Sequence, residues 1–143
     1  MILNIRHTGI VVRNLEQAVE FYELLGFKMW KREIEQGQFL ETVVNLKNAR
    51  VETAKLKAPC GAMLELLEYQ SHPDRLIIKK QSSNKLGCSH IALTVDSIHK
   101  VLESININGG SIVNQPAISP GQKVLVAYCH DHEGNLLELV EEL

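Results

Sequence analysis

The chain has 143 residues, 45% of them hydrophobic and 22% charged, the balance of a globular protein rather than a disordered one. Fifteen basic against 17 acidic side chains give a formal charge of −2 with no basic stripe, which argues against a nucleic-acid partner. No apolar run approaches the roughly 20 residues needed to cross a bilayer. Residues Met1 to Arg6 lack the apolar core of a signal peptide, so a cytoplasmic protein without a membrane partner is expected.

In chain order, the first element is a short β-branched strand, His7-Thr8-Gly9-Ile10-Val11-Val12. Asn14, with Gln17 three residues on, is a capping-box variant that opens a helix. Leu15, Ala18, Val19, Tyr22 and Leu25 fall on one face of that helix, and Gly26 closes it. Strand-like runs follow over 28–32, 38–46 and 51–56, and then the strand Met63-Leu64-Glu65-Leu66-Leu67-Glu68. Turns are expected at Asn45-Leu46-Lys47-Asn48 and Pro59-Cys60-Gly61. Residues 70–86 are polar, hold Pro73, and form a linker with a short helix around 74–80.

A second strand with a leading histidine, His90-Ile91-Ala92-Leu93-Thr94-Val95, then begins the same series again. Asp96 opens a helix carrying Ile98, Val101, Leu102 and Ile105 on one face, closed by Gly109. Strand-like runs over 111–113 and 123–129 lead to Leu136-Leu137-Glu138-Leu139-Val140-Glu141, with turns at Pro120-Gly121 and Glu133-Gly134-Asn135. His7 and His90, Leu15 and Ile98, Tyr22 and Ile105, and Gly26 and Gly109 are all separated by 83 residues. The two last strands match at 73, so the second half is shorter by ten residues, in its connections. The chain is therefore expected to be a single α+β domain spanning 1–143, built of two βαβββ modules over 1–69 and 87–143.

Strand alternation puts His7 on one face with Ile5, Gly9 and Val11, and His90 with Cys88, Ala92 and Thr94. Glu65 and Glu138 each sit within an apolar strand, where a carboxylate is costly to bury without a partner. Two histidines and two glutamates at equivalent places in two repeats point to a shared partner, and a divalent cation is the economical one. Nitrogen and oxygen donors without thiolate suit Zn, Ni, Co, Fe(II) or Mn. Six-coordinate geometry would leave two positions for substrate oxygens or water, as a catalytic site requires.

Together, His7 to Val12, Phe21-Tyr22-Glu23-Leu24-Leu25-Gly26-Phe27, Leu64 to Tyr69, His90 to Val95 and Gly134 to Glu141 resemble the vicinal oxygen chelate superfamily, the group that contains glyoxalase I. The resemblance implies module sheets curled around a cleft, with a metal on the inner face. It makes His7, Glu65, His90 and Glu138 the metal ligands. It further implies proton transfer next to a carbonyl through a metal-bound enolate, most like a glyoxalase I-type lactoylglutathione lyase acting on a glutathione hemithioacetal. A methylmalonyl-CoA epimerase-like racemase is the alternative. In that family the third ligand is often glutamine, and an extra carboxylate, for which Glu52 is the candidate, would act as base. Glu52, Glu65 and Glu138 are thus the candidate catalytic carboxylates. A non-catalytic, resistance-type binder of small molecules is the third reading. The superfamily's extradiol dioxygenases use two histidines and one glutamate around Fe(II), and a ligand at Glu65 would occupy a position their chemistry needs.

Other residues receive plainer roles. His130 and His132 flank Asp131 in what is expected to be a loop, and His72 and His99 are expected to be ordinary surface histidines. Trp30, Phe39 and Met63 are expected to pack in the core, with an apolar pocket as the alternative. Arg6, Arg13 and Arg32 are candidates to meet a glutathione or CoA anion. Cys60, Cys88 and Cys129 are expected to be small reduced thiols outside any disulfide framework. A homodimer is expected, because module sheets leave strand edges that a second copy can cover.

Overall fold

The computed structural model describes residues 1–76, 80 and 82–143. The chain divides into two compact units, Met1–Leu76 and Ile77–Leu143, with the boundary inside the expected linker. No helix among the described residues is long and apolar enough to cross a membrane.

The first unit runs β1 (Thr8–Val11), α1 (Leu15–Leu24), β2 (Lys28–Gln36), α2 (Gln38–Val44), β3 (Arg50–Lys57) and β4 (Met63–Tyr69). Its sheet has the order β1-β4-β3-β2, with β1 parallel to β4 and the other pairs antiparallel. Helix α1 begins where the side chain of Asn14 accepts the backbone N–H of Gln17 at 3.0 Å. It buries Leu15, Ala18, Val19 and Tyr22, as the periodicity requires, together with Phe21. Those side chains cover β3 and β4, where Ala54, Leu56, Leu64 and Leu66 are buried. Truncating a fully buried leucine such as Leu66 to alanine costs about 2–5 kcal/mol. Gly26, at φ 95°, turns the chain out of the helix in a conformation that other residues adopt only with strain.

The second unit repeats the plan: β5 (Ile91–Thr94), α3 (Ile98–Ile107), β6 (Ser111–Ile112), β7 (Ala117–Ile118), β8 (Val124–His130) and β9 (Leu136–Glu142). Its sheet has the order β5-β9-β8-β6, with β7 also paired to β8 and β5 parallel to β9. Ile98, Leu102 and Ile105 of α3 are buried. Gly110 has to be glycine: a Cβ there would lie 2.5 Å from both the His130 carbonyl oxygen and Ile105 Cγ2. The α+β class and the paired βαβββ plan match the sequence reading.

Several details differ from it. The 38–46 run, expected as a strand, contains helix α2. Gly37 at φ 92° breaks β2, and Leu40 and Val44, four residues apart, then pack around Ala49 and Val51. β-branched residues suggested a strand there, but helical spacing against this small core prevailed. Strand β2 extends beyond 32 to Gln36, and β7 is an added short strand. Residues 74–76 and 80 are not helical, and the rest of the expected 74–80 helix lies outside the described residues. Helix α3 starts after Ser97 rather than Asp96, and Ser97 supplies no side-chain cap.

The caps come from an unexpected place. Glu68 Oε2 accepts the Leu15 N–H at 2.7 Å, and Glu141 Oε2 accepts the Ile98 N–H at 2.7 Å. In each unit, a carboxylate from the last strand satisfies a free donor at the helix N-terminus, where negative charge is favoured. Glu68 and Glu141 thus serve the helix side of their sheets, opposite Glu65 and Glu138.

Candidate metal centre

On the open face of the first sheet, His7 stands just before β1 and Glu65 lies on β4, where it is level with Gly9. His7 Nε2 lies 3.0 Å from Glu65 Oε2. On the second sheet, His90 precedes β5 and Glu138 on β9 is level with Ala92. His90 Nε2 lies 3.0 Å from Glu138 Oε2. The repeat predicted from sequence therefore yields two histidine–glutamate pairs with the same atoms at the same spacing.

Each contact is a hydrogen-bonded or ion-paired one by its length, and the same spacing also suits a metal ion. Two donors bound at right angles about 2.1 Å from one cation stand about 3 Å apart, the edge of an octahedron. His90 is also oriented from behind, by a 2.8 Å contact between its Nδ1 and Ser89 Oγ that leaves Nε2 for the front. The structure brings the four expected ligands together as two pairs. Among the described residues, no group of three or more histidine, cysteine, aspartate or glutamate side chains gathers into a metal site.

The surroundings of the two pairs differ. Glu65 is 8% exposed and has a second partner, Lys55, which lies directly across from it in the β3–β4 register. Lys55 Nζ is 3.3 Å from Glu65 Oε1 and 3.3 Å from Glu33 Oε1, and Lys31 Nζ is 2.6 Å from Glu33 Oε2. Lys31, Glu33, Lys55 and Glu65 thus form a chain of alternating charge. Burial pulls the Lys55 ammonium down, but Glu65 and Glu33 outweigh it and hold its pKa above the usual lysine value. Lys31 and Lys55 in turn hold the Glu33 carboxyl below the usual range. In the second unit the position equivalent to Lys55 is Tyr128, directly across from Glu138. Its ring meets His90 edge to face at 5.3 Å, and its hydroxyl feels the Glu138 carboxylate. Burial first, and the Glu138 charge second, push the Tyr128 phenol up, so it stays protonated.

Glu52 is not brought to either pair. It lies opposite Glu68 in the register, on the other face of the sheet from Glu65. There it takes the Arg32 Nε at 2.8 Å and Gln70 Nε2 at 3.0 Å, so its expected role as base is withdrawn. Arg32 is itself engaged, by Glu52 and by Glu16 at 2.7 Å, rather than poised for a ligand anion. Trp30 and Phe39 are exposed rather than core, and Met63 is half-buried. Lys57 Nζ sits over the Trp30 ring at 4.5 Å, beside a cavity of about 400 Å³ lined by Gly26, Lys28, Met29, Trp30, Lys57, Ala58 and Pro59. His72 and His99 are exposed, as expected.

His130 closes β8 and is buried rather than in a loop. Asp131 is the organiser of the turn that follows: its carboxylate accepts the N–H groups of Glu133 and Asn135 and the Asn135 side chain, at 2.8–3.0 Å. Cys129 is buried, and its thiol is pushed up to about 12 by burial and then by the Asp131 charge. Cys60 and Cys88 are exposed free thiols.

Lys55 and Tyr128 escaped the sequence reading. Alternation alone could have put Lys55 on a face with Thr53 and Lys57, but only the register identifies that face as Glu65's.

Comparison with known proteins gives a consistent picture. A family model described as the glyoxalase/bleomycin resistance protein/dioxygenase superfamily matches residues 4–139. The chain is 27% identical to the lactoylglutathione lyase of Escherichia coli O157:H7, over 98% of this chain and 93% of that protein. It is 25% identical to the lactoylglutathione lyase of Neisseria meningitidis serogroup B, over 98% of this chain and 91% of that one. A glyoxalase family protein from Bacillus cereus has a crystal structure that superposes with a TM-score of 0.92 at 26% identity, covering 100% of this chain and 96% of that one.

Proposed function

Because this chain belongs to the glyoxalase/bleomycin resistance protein/dioxygenase superfamily, we propose that it is a metal-dependent enzyme of the lactoylglutathione lyase type. Its substrate would be the hemithioacetal of glutathione and an α-oxoaldehyde. One observation carries this reading: the two histidine–glutamate pairs, each with donor atoms 3.0 Å apart. In the proposal, a first-unit pair and a second-unit pair together hold one divalent cation of the Zn, Ni, Co, Mn or Fe(II) class. The cation would supply Lewis-acid stabilisation of the negative charge that develops on a substrate oxygen.

The chain's own residues then divide the remaining work. His7 and His90 donate through Nε2, with His90 held by Ser89. Glu65, held between His7 and Lys55, serves as a fixed ligand. Among the described residues, Glu138 has no lysine on it comparable to Lys55, and its side chain is 22% exposed against 11% for Glu65. It is therefore the base that takes the proton from the carbon beside the carbonyl and returns it to the neighbouring carbon. The Tyr128 hydroxyl orients that carboxylate. We include the expected homodimer in the proposal. Each sheet ends on strands paired on one side only among the described residues, edges that a second copy can cover.

Metal-free protein should be inactive and should regain turnover of the methylglyoxal–glutathione hemithioacetal with one of Ni, Co, Zn or Mn. Metal-restored exchange of the α-proton of methylmalonyl-CoA, without hemithioacetal turnover, would replace this reading with the epimerase. Ligand uptake without either turnover would replace it with a binding protein.

A further inference from the structure

We propose that Lys55 is a positioning residue that confines Glu65 to a single metal-facing oxygen, an inference that rests on the metal-binding reading above. The two oxygens of Glu65 have different partners. Oε2 faces His7 Nε2 at 3.0 Å, and Oε1 faces Lys55 Nζ at 3.3 Å. Lys55 is itself held from the far side by Glu33, whose other oxygen is taken by Lys31 at 2.6 Å. The contact is partly shielded from water, since the side chains of Lys55 and Glu65 are 21% and 11% exposed. A carboxylate with both oxygens free can bind a cation through both. One whose Oε1 is taken by an ammonium group presents only the other.

Two consequences follow. The ammonium repels a dication, so Lys55 lowers metal affinity. It also stops Glu65 from taking a second coordination position, which stays available to substrate. Lys55 thus exchanges tight metal binding for an open position, and its removal should move the two properties in opposite directions. A residue that merely supported the fold would, on removal, weaken both.

The test is Co(II) binding to metal-free wild type, Lys55→Met, Lys55→Arg and Glu33→Gln, read by titration and by the visible d–d spectrum, with circular dichroism as the control for folding. Methionine keeps the aliphatic stem and removes the charge. Lys55→Met, which removes a positive charge beside the cation, should bind Co(II) roughly tenfold more tightly, with an altered spectrum, and should turn over more slowly. Lys55→Arg should restore the wild-type spectrum and affinity. Glu33→Gln, which removes the carboxylate that shares and partly neutralises Lys55, should leave the ammonium committed to Glu65 and shift affinity the opposite way, weakening Co(II) binding by a smaller factor. Equal or weaker Co(II) binding by Lys55→Met, or an unchanged spectrum, overturns the inference and leaves the metal site standing. Wild-type protein that binds no Co(II) overturns the metal reading, and this inference with it.

Discussion

The two units place the same pair of side chains at the same spacing and surround them differently. Around Glu65, β2 and β3 supply Lys55, Glu33 and Lys31, a ladder whose charges cancel in sequence. Around Glu138, β8 supplies a neutral phenol, Tyr128, at the position of Lys55. The two units thus carry the same histidine–glutamate pair with different cross-strand neighbours. A carboxylate pinned by an ammonium group makes a good fixed ligand, while one beside a phenol keeps its charge available for a proton. In the proposed mechanism the cross-strand neighbour, more than the carboxylate itself, would separate the two roles.

The largest expected effect sharpens that separation. Glu138→Gln should lower kcat about a thousandfold, the scale of a lost general base, while Co(II) binding falls only modestly. Glu65→Gln should act chiefly on metal binding, with activity partly recovered at high metal concentration. Steady-state kinetics across a metal titration checks both. Equal kinetic profiles for the two variants would erase the distinction.

Next in size is an alkaline sensitivity confined to the second unit. Cys129 faces Leu137 across β8 and β9, and the matching place in the first unit is Leu56 beside Leu64; Cys129 and Leu56 are both fully buried. The folded thiol keeps its proton up to about 12, against an ordinary thiol value of 9.0. Above pH 9 the unfolded chain therefore binds fewer protons than the native one, so stability falls as pH rises. This group alone contributes about 1 kcal/mol per pH unit until its folded value is passed. Cys129→Ala should remove that component, as measured by urea unfolding between pH 8 and about 11.

The smallest effect concerns the helix starts. Helix α1 has two side-chain caps, Asn14 and Glu68, whereas α3 has Glu141 without help from Ser97. Glu141→Gln should cost about 1–2 kcal/mol and Glu68→Gln about 1 kcal/mol. Thermal unfolding at neutral pH would rank the two, and a larger loss in Glu68→Gln would contradict the asymmetry.

What was legible in the sequence follows from the range of each interaction. The repeat, the faces of α1 and α3 and the two histidine–glutamate pairs proposed as ligands, His7 with Glu65 and His90 with Glu138, all rest on local spacing and on matched offsets. Glu68 and Glu141 cap helices that begin 53 and 43 residues earlier, and no local pattern announces that. Glu52 was misplaced for a related reason. Its face depends on the register set by the 58–62 connection, which pairs Lys57 with Met63 and so puts Lys55, not Glu52, beside Glu65. Helix α2 was hidden because Thr42, Val43 and Val44 favour strands by propensity, while Leu40 and Val44 are spaced for a helix.

The central claim is that one cation takes a histidine and a glutamate from each kind of unit. It is tested most directly by an anomalous difference map from crystals of Ni- or Zn-loaded protein. The account predicts one peak per chain, with His7 and His90 Nε2 and one oxygen each of Glu65 and Glu138 about 2.0–2.2 Å away. Two peaks per chain, each served by a single histidine–glutamate pair, or a peak that touches neither pair, would contradict it.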